Sequence, residues 1–185
     1  TKVFSIGVSA RSLGFLSTSS VFFLMPFYIV QVLGHASSTA GLLMVPGSIG
    51  TAVIAPIGGR LSDKIGTKSP AVVGLFLSFM AMLIFIQLES NSHWSHIVVG
   101  MALFGSGMGL FSASNTSAVL GSLARNQYGI ATAFLNLVRT SSNVTGVAIA
   151  TTITSVTMGA LGYEPNLGMA LETGDQGAKI AFVKG

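Results

Sequence analysis

The sequence predicts an all-α membrane protein, and three observations carry that reading. Of 185 residues, 50% are apolar and only 8% are charged, where a soluble domain carries about 25% charged residues. The mean hydropathy is +0.75. Polar punctuation then divides the chain into apolar stretches near the roughly 20 residues that a helix needs to cross a bilayer core. These are span A at 4–32, span B at 38–59, span C at 70–88, span D at 96–119 and span E at 129–160, with a sixth beginning near Ala178 and cut off at Gly185. Five complete transmembrane helices and the start of a sixth are expected.

Spans A and E are longer than the bilayer requires, which predicts tilt, kinks or protruding ends. Pro26 in span A and Pro46 in span B are the expected kink sites, because each removes a backbone donor. Arg11 lies about 7 residues into span A, shallow enough for its side chain to snorkel to the headgroups. Span D carries Gly105, Gly107 and Gly109. No strand precedes this run and no lysine follows it, so a phosphate loop is excluded. Gly105 and Gly109 instead form a small-xxx-small pair that lets another helix approach closely, and Asn115 follows on the same span as a candidate for lining a substrate cavity or supporting gating.

Span E holds the clearest set of intramembrane polar groups. Thr132, Asn136, Arg139 and Asn143, followed by Gly146, recur at spacings that place them on one helical face. Arg139 lies roughly 15 Å deep at 1.5 Å per residue, too far in for easy snorkelling. Two readings fit: a cavity-lining stripe that binds substrate or supports gating, and an interhelical hydrogen-bond clamp.

The loop charges set an orientation. Arg60, Lys64 and Lys68 surround Asp63 between spans B and C, Arg125 stands alone between D and E, and Lys2 precedes span A. The other side receives Glu89, Glu164, Glu172 and Asp175, with Lys179 and Lys184 near it. Basic residues mark the cytoplasmic face, so the N-terminal end is expected inside. The B–C stretch is the most specific: Gly59 and Gly66 flank it and permit a tight turn. Asp63 can pair with its basic neighbours or with the N-terminal end of an adjacent helix, as a conformational latch. The plainer reading is a positive-inside loop.

Other function classes fall away. Cysteine is absent, which excludes a disulfide scaffold and a thiolate metal site. The isoelectric point near 9.8 comes from nine basic residues against five acids spread along the chain, without the clustered basic face that nucleic acid requires. His35, His93 and His96 stand outside any His-Glu-x-x-His pattern, and Trp94 reads as an interfacial anchor. No carboxylate pair lies within a span for acid–base work, so neither a catalytic nor a metal site is expected. The missing initiator methionine and the segment cut off after Ala178 suggest a piece of a longer protein.

At this point the residues fall into a pattern. Gly59-x-Leu61-Ser62-Asp63-Lys64-x-Gly66-x-Lys68 resembles the loop signature of the major facilitator superfamily, departing at Thr67, where a basic residue is usual. Gly105-x-Gly107-x-Gly109-Leu110-Phe111-Ser112, Asn115-x-Ser117-Ala118, Gly129-x-Ala131-x-Ala133 and Asn136-x-x-Arg139 are similar to the drug:proton antiporter family with fourteen spans. Met25–Pro26–Phe27–Tyr28 and Gly41–Leu42–Leu43–Met44–Val45–Pro46 fit as well, while Ser142 and Ser114 stand where glycine and proline are common. The resemblance implies the C-terminal six-helix bundle of a multidrug-efflux transporter that works by alternating access. It implies a cell membrane of the bacterial inner or plasma type, a monomer, and as partners the lipid bilayer, the missing N-terminal half, a small amphiphilic substrate and protons. No cofactor is implied, the proton gradient being the energy source. Since no acid lies within these spans, any coupling carboxylate is expected in the other half. The alternatives are an importer or dedicated metabolite exporter of the same superfamily, and more remotely a structural membrane protein or an intramembrane enzyme.

Overall fold

The computed structural model describes residues 2–89 and 92–160. The expected sixth span from residue 178 lies outside the described residues. Helix α1 runs Lys2–Phe27 and widens into a π-helical turn over Tyr28–Val32; α2 spans Ser37–Ile65, α3 Lys68–Ile86, α4 Trp94–Gly121 and α5 Tyr128–Ala160, the last preceded by a short 3-10 turn at Arg125–Gln127. No strand occurs among the described residues. The all-α reading therefore stands, and helices α1 to α5 overlap the stretches read as spans A to E.

Cross-helix contacts define the topology. Ser62 meets Ser114 and Thr51 meets Gly105, so α2 and α4 run parallel. Gly74 approaches Phe111 while Gly100 approaches Phe85, so α3 runs antiparallel to α4. Phe4 stacks on Phe134 at 5.9 Å and Ser12 meets Ser142, so α1 and α5 are parallel. The N-terminal ends of α1, α3 and α5 thus gather at one end with the C-terminal ends of α2 and α4. This end carries Arg60, Lys64, Lys68 and Arg125, and is called the basic end below.

Helix α4 is the hub, packing on α1, α2 and α3, while α5 packs on α1. Glycine permits this close approach. A Cβ on Gly105 would overlap the Gly47 carbonyl of α2, and one on Gly107 would stand 2.6 Å from the Gly74 carbonyl of α3. Small residues matter here because lipid tails give apolar helices no hydrophobic reason to associate, so dispersion at short range and interhelical hydrogen bonds must hold the bundle. Thr51 Oγ1 donates to Gly105 O at 3.0 Å across the α2–α4 contact. Aromatic and Met side chains fill the rest: Phe104, Met108 and Phe111 of α4 pack with Ala81 of α3.

At the end opposite the basic one, Met25, Tyr28, Ile29 and Val32 pack with Leu43, Ile97 and Met101. Leu33 N donates to Tyr28 O at 3.1 Å, a wider step than the α-helical one. The widening follows directly after Pro26, whose missing N–H already breaks the ladder, and π-turns are a common way to absorb such a break. Tyr28 Oη then donates to Glu89 O at 2.6 Å, tying the turn to the end of α3. In contrast, α2 continues as one helix through Pro46 and Pro56.

The outward faces of α2 and α3 are apolar. Leu42, Val45, Ile49, Val53 and Ile57 are exposed along α2, and Val72, Leu75, Phe76, Phe79, Leu83 and Ile86 along α3. Apolar runs of this size suit lipid contact. Helix α1 with its π-turn, α2, α3 and α4 are each long and apolar enough to cross a membrane. Helix α5, at 33 residues, also has the length to cross.

A polar face and two arginines at the basic end

Arg11 sits on α1 where that helix meets α4 and α5. Its Nη1 donates to Thr116 Oγ1 on α4 at 2.8 Å, and its guanidinium carbon stands 5.1 Å from the centre of the Phe15 ring. Arg11 is only 8% exposed, and its Nε is buried without a hydrogen-bond partner among the described residues. The snorkelling expectation is therefore corrected. A guanidinium that finds a hydroxyl acceptor and an aromatic face inside the bundle gains a charge-assisted hydrogen bond and a cation–π contact without reaching the headgroups. Phe15 one turn away was the signal available in the sequence; nothing local revealed Thr116 opposite.

Helix α5 sorts its residues into two faces. Ala131, Leu135, Ser142, Gly146, Ala150 and Thr154 are buried. Thr132, Asn136 and Arg139 are exposed and Asn143 is half-buried. The buried residues advance largely in steps of four, and each such step turns about 40° around a helix of 3.6 residues per turn. The interface stripe therefore winds around α5. It leaves Thr132, Asn136 and Arg139 on the open side and brings Gly146 into the α1 contact, where an added Cβ would overlap Ser19 Oγ and come within 2.6 Å of Leu16 O. The sequence grouped Gly146 with the polar residues by angle; the winding separates them.

Arg139 makes no hydrogen bond or ion pair among the described residues. The hydrogen bonds that tie α5 to α1 belong to its other face: Ser12 Oγ lies 2.8 Å from Ser142 Oγ, and Ser20 Oγ donates to Gly146 O at 3.1 Å. Asn115, read as a cavity candidate, is instead buried, and its Nδ2 donates to Gly7 O at 2.9 Å. In this conformation it joins α4 to α1 and lines no open face.

The B–C motif is mostly helical. Helix α2 continues to Ile65, so Gly59, Asp63 and Lys64 lie within it, and the connection to α3 is Gly66–Thr67. This corrects the expected loop beginning at Gly59. Lys64 in the last turn of α2 favours the extension through the negative end of the helix dipole. Gly66 alone makes the turn: its φ of 88° is a conformation that other residues rarely adopt, and its N–H closes on Ser62 O at 3.0 Å. Lys68 opens α3. Asp63, Lys64 and Lys68 are exposed, whereas Ser62 is buried and donates to Ser114 Oγ at 2.8 Å. Ser114 in turn donates to Leu110 O at 2.8 Å. The motif is thus pinned to α4 by the serine, and Asp63 makes no ion pair among the described residues.

Among the described residues, no group of three or more His, Cys, Asp or Glu could hold a metal ion. What these side chains offer is a helical bundle with apolar, lipid-compatible faces on α2 and α3, and on α5 an exposed side that mixes Thr132, Asn136 and Arg139 with Ile130, Leu137 and Val144.

Comparison with known proteins agrees with this architecture. Residues 3–162 match the Major Facilitator Superfamily. The chain is 27% identical over 147 residues to an uncharacterized transporter, YebQ, of Escherichia coli K12, covering 80% of this chain and 32% of that protein. It is 31% identical over 129 residues to the riboflavin transporter RibZ of Clostridioides difficile, covering 70% of this chain and 28% of that one. It is 24% identical over 168 residues to the multidrug resistance protein Stp of Mycobacterium tuberculosis, covering 91% and 31%. The chain thus spans about a third of the length of these relatives. Their names describe transporters and a resistance protein, none of them an enzyme. With a family match over most of its length and a multi-helix membrane architecture, the chain belongs to the Major Facilitator Superfamily.

Proposed function

We propose that this chain is the C-terminal bundle of a proton-driven exporter of drugs or other amphiphilic small molecules, of the fourteen-span drug:proton antiporter type, working in a cell membrane with its basic end in the cytoplasm. The observation that carries the reading is the polar and charged group exposed on α5. Thr132, Asn136 and Arg139 are exposed there among apolar side chains such as Ile130, Leu137 and Val144, whereas α2 from residue 37 to 59 and α3 from 69 to 86 carry no charged side chain. Polar groups at membrane depth face protein or a water-filled cavity rather than lipid. A cavity between this bundle and a second one is the arrangement that alternating access requires. The motif order through α4 and α5 and the similarity to a multidrug resistance protein support the drug-export form.

A second reading, a dedicated metabolite carrier, draws on the 31% identity to a riboflavin transporter. Both are tested with the full-length protein reconstituted in proteoliposomes under an imposed pH gradient. Gradient-dependent movement of ethidium supports the first reading. Movement of riboflavin without ethidium supports the second. A catalogue of metabolites and dyes moved under neither gradient direction overturns both.

A further inference from the structure

Arg11 and Arg139 sit at neighbouring levels of the packed α1–α5 pair, with no counter-ion among the described residues. Arg11 is nine residues beyond the start of α1 and Arg139 eleven beyond the start of α5, so they lie about 14 and about 17 Å along two parallel helices at 1.5 Å per residue. The Ser12–Ser142 contact fixes the helices in register between these levels. That register brings the two positive charges to one region of the α1–α5 contact. Like charges at membrane depth disfavour one another, and each alone is already costly there.

The described residues hold nothing that neutralises the pair. Their acids are Asp63, exposed in the last turn of α2, and Glu89, exposed beyond α3 at the opposite end. Arg11 Nη1 is committed to Thr116, which leaves the buried Nε as a donor without a partner. Arg139, on the neighbouring helix, stands exposed with every donor free among the described residues. Two cations held at membrane depth without a counter-charge are costly, so this face suits an occupant that brings acceptor oxygens and negative charge.

We infer that Arg11 and Arg139 form a carboxylate-accepting site on the α1–α5 face. A carboxylate supplies two oxygens on a planar group, the geometry that guanidinium donors match best, and its single charge leaves no excess to desolvate. That carboxylate comes either from the transported molecule or from an acidic side chain elsewhere in the full-length protein. The inference rests on the transporter reading above for the existence of a cavity at this face.

The test is equilibrium binding to full-length protein in lipid nanodiscs, without any gradient, using dansylglycine and its uncharged amide as a matched pair. If the substrate supplies the carboxylate, wild-type protein prefers dansylglycine over the amide by about tenfold or more. Arg139→Gln then removes the preference, so that dansylglycine and its amide bind alike. If the protein supplies it, wild type shows no preference. Replacement of one intramembrane Asp or Glu of the remaining chain by Asn or Gln then creates the preference, and adding Arg139→Gln abolishes it again. Arg139 is exposed, so its replacement leaves packing intact; Arg11→Lys, which keeps the charge but not the forked donor set, provides the second variant and weakens the preference. No preference in wild type and in every acid variant overturns the inference. So does a preference that survives Arg139→Gln in monodisperse protein. Because binding is read without a gradient, a failure of proton-driven export leaves this result standing, and the two readings fail separately.

Discussion

Ser12 and Ser142 place their hydroxyl oxygens 2.8 Å apart, joining α1 to α5 one residue beyond Arg11 and three beyond Arg139. Ser142 is buried, so the pair is shielded from competing water. The contact sets which residues of two parallel helices share a level, and therefore that the two arginines do. Ser142→Ala removes it at little cost in volume. The expected loss is about 0.6 kcal/mol, in the range of interhelical hydrogen bonds in membranes. A double-mutant cycle with Ser12→Ala, read by thermal unfolding in detergent, should give a coupling of that size; strictly additive losses would place the register elsewhere.

Gly105→Ala should be far more damaging than its size suggests. The new methyl group overlaps the Gly47 carbonyl, and backbone cannot swing aside as a flexible side chain can. Helices α2 and α4 must separate, which loses the Thr51–Gly105 hydrogen bond as well. Overpacking of this kind costs about 1–3 kcal/mol and often more. Gly41→Ala is the control: it is also helical, with open space around its Cβ, and should be neutral or stabilise by a few tenths up to about 1 kcal/mol. Melting temperatures of the two variants, measured side by side, check the contrast.

Thr116→Val tests what holds Arg11 inside. The substitution keeps the shape but takes away the oxygen that accepts from Arg11 Nη1. With Nε already unpartnered, the buried guanidinium would lose its one hydrogen bond recorded among the described residues. Hydrogen bonds to charged groups contribute about 1.5–3 kcal/mol, so a loss in that range is expected, with Thr116→Ser restoring most of it. An unfolding midpoint unchanged in Thr116→Val would mean that the Phe15 contact alone anchors the arginine.

Much of this fold was legible because the membrane simplifies the sequence. Long apolar stretches separated by polar residues define helices almost without reference to tertiary structure, and α1 to α4 follow them closely. The basic end was legible from Arg60, Lys64, Lys68 and Arg125 for the same reason. What a single helix cannot encode is which of its faces meets which neighbour. Arg11 read as a snorkelling residue because depth was visible and Thr116 was not. Gly146 shared an angle with Asn136 on an isolated helix, yet the winding of the α1–α5 contact buries one and exposes the other. Asn115 looked like a free polar group until the Gly7 carbonyl was brought to it. Ser114 and Ser142, departures from the family pattern, gave no sign that each would bond to a serine on another helix.

Arg139→Ala in the full-length protein is expected to reduce flux at least about tenfold while leaving membrane abundance close to wild type. The side chain is exposed and holds nothing among the described residues, so its removal should leave the bundle intact; its loss matters only if the α5 face borders the transport path. Flux in proteoliposomes, normalised to inserted protein, separates these effects. Full flux at normal abundance would remove Arg139 from the path and leave it a peripheral cation.

Asp63→Asn addresses the motion that alternating access requires. Ser62 anchors the end of α2 to α4 through Ser114, while its neighbour Asp63 is exposed without an ion pair among the described residues. An acid held rigidly by its neighbour but left unpaired is suited to a contact with another part of the protein, made in one conformation and broken in the other. Such a contact acts only through its difference between the two states. Neutralising the charge should therefore change the interconversion rate, by about three- to tenfold for a coupling near 1 kcal/mol, and leave ethidium affinity within a factor of two. Distance measurements between labels on the two bundles, under turnover, report the rate. Loss of ethidium binding with unchanged interconversion would remove the latch and place Asp63 in substrate recognition instead.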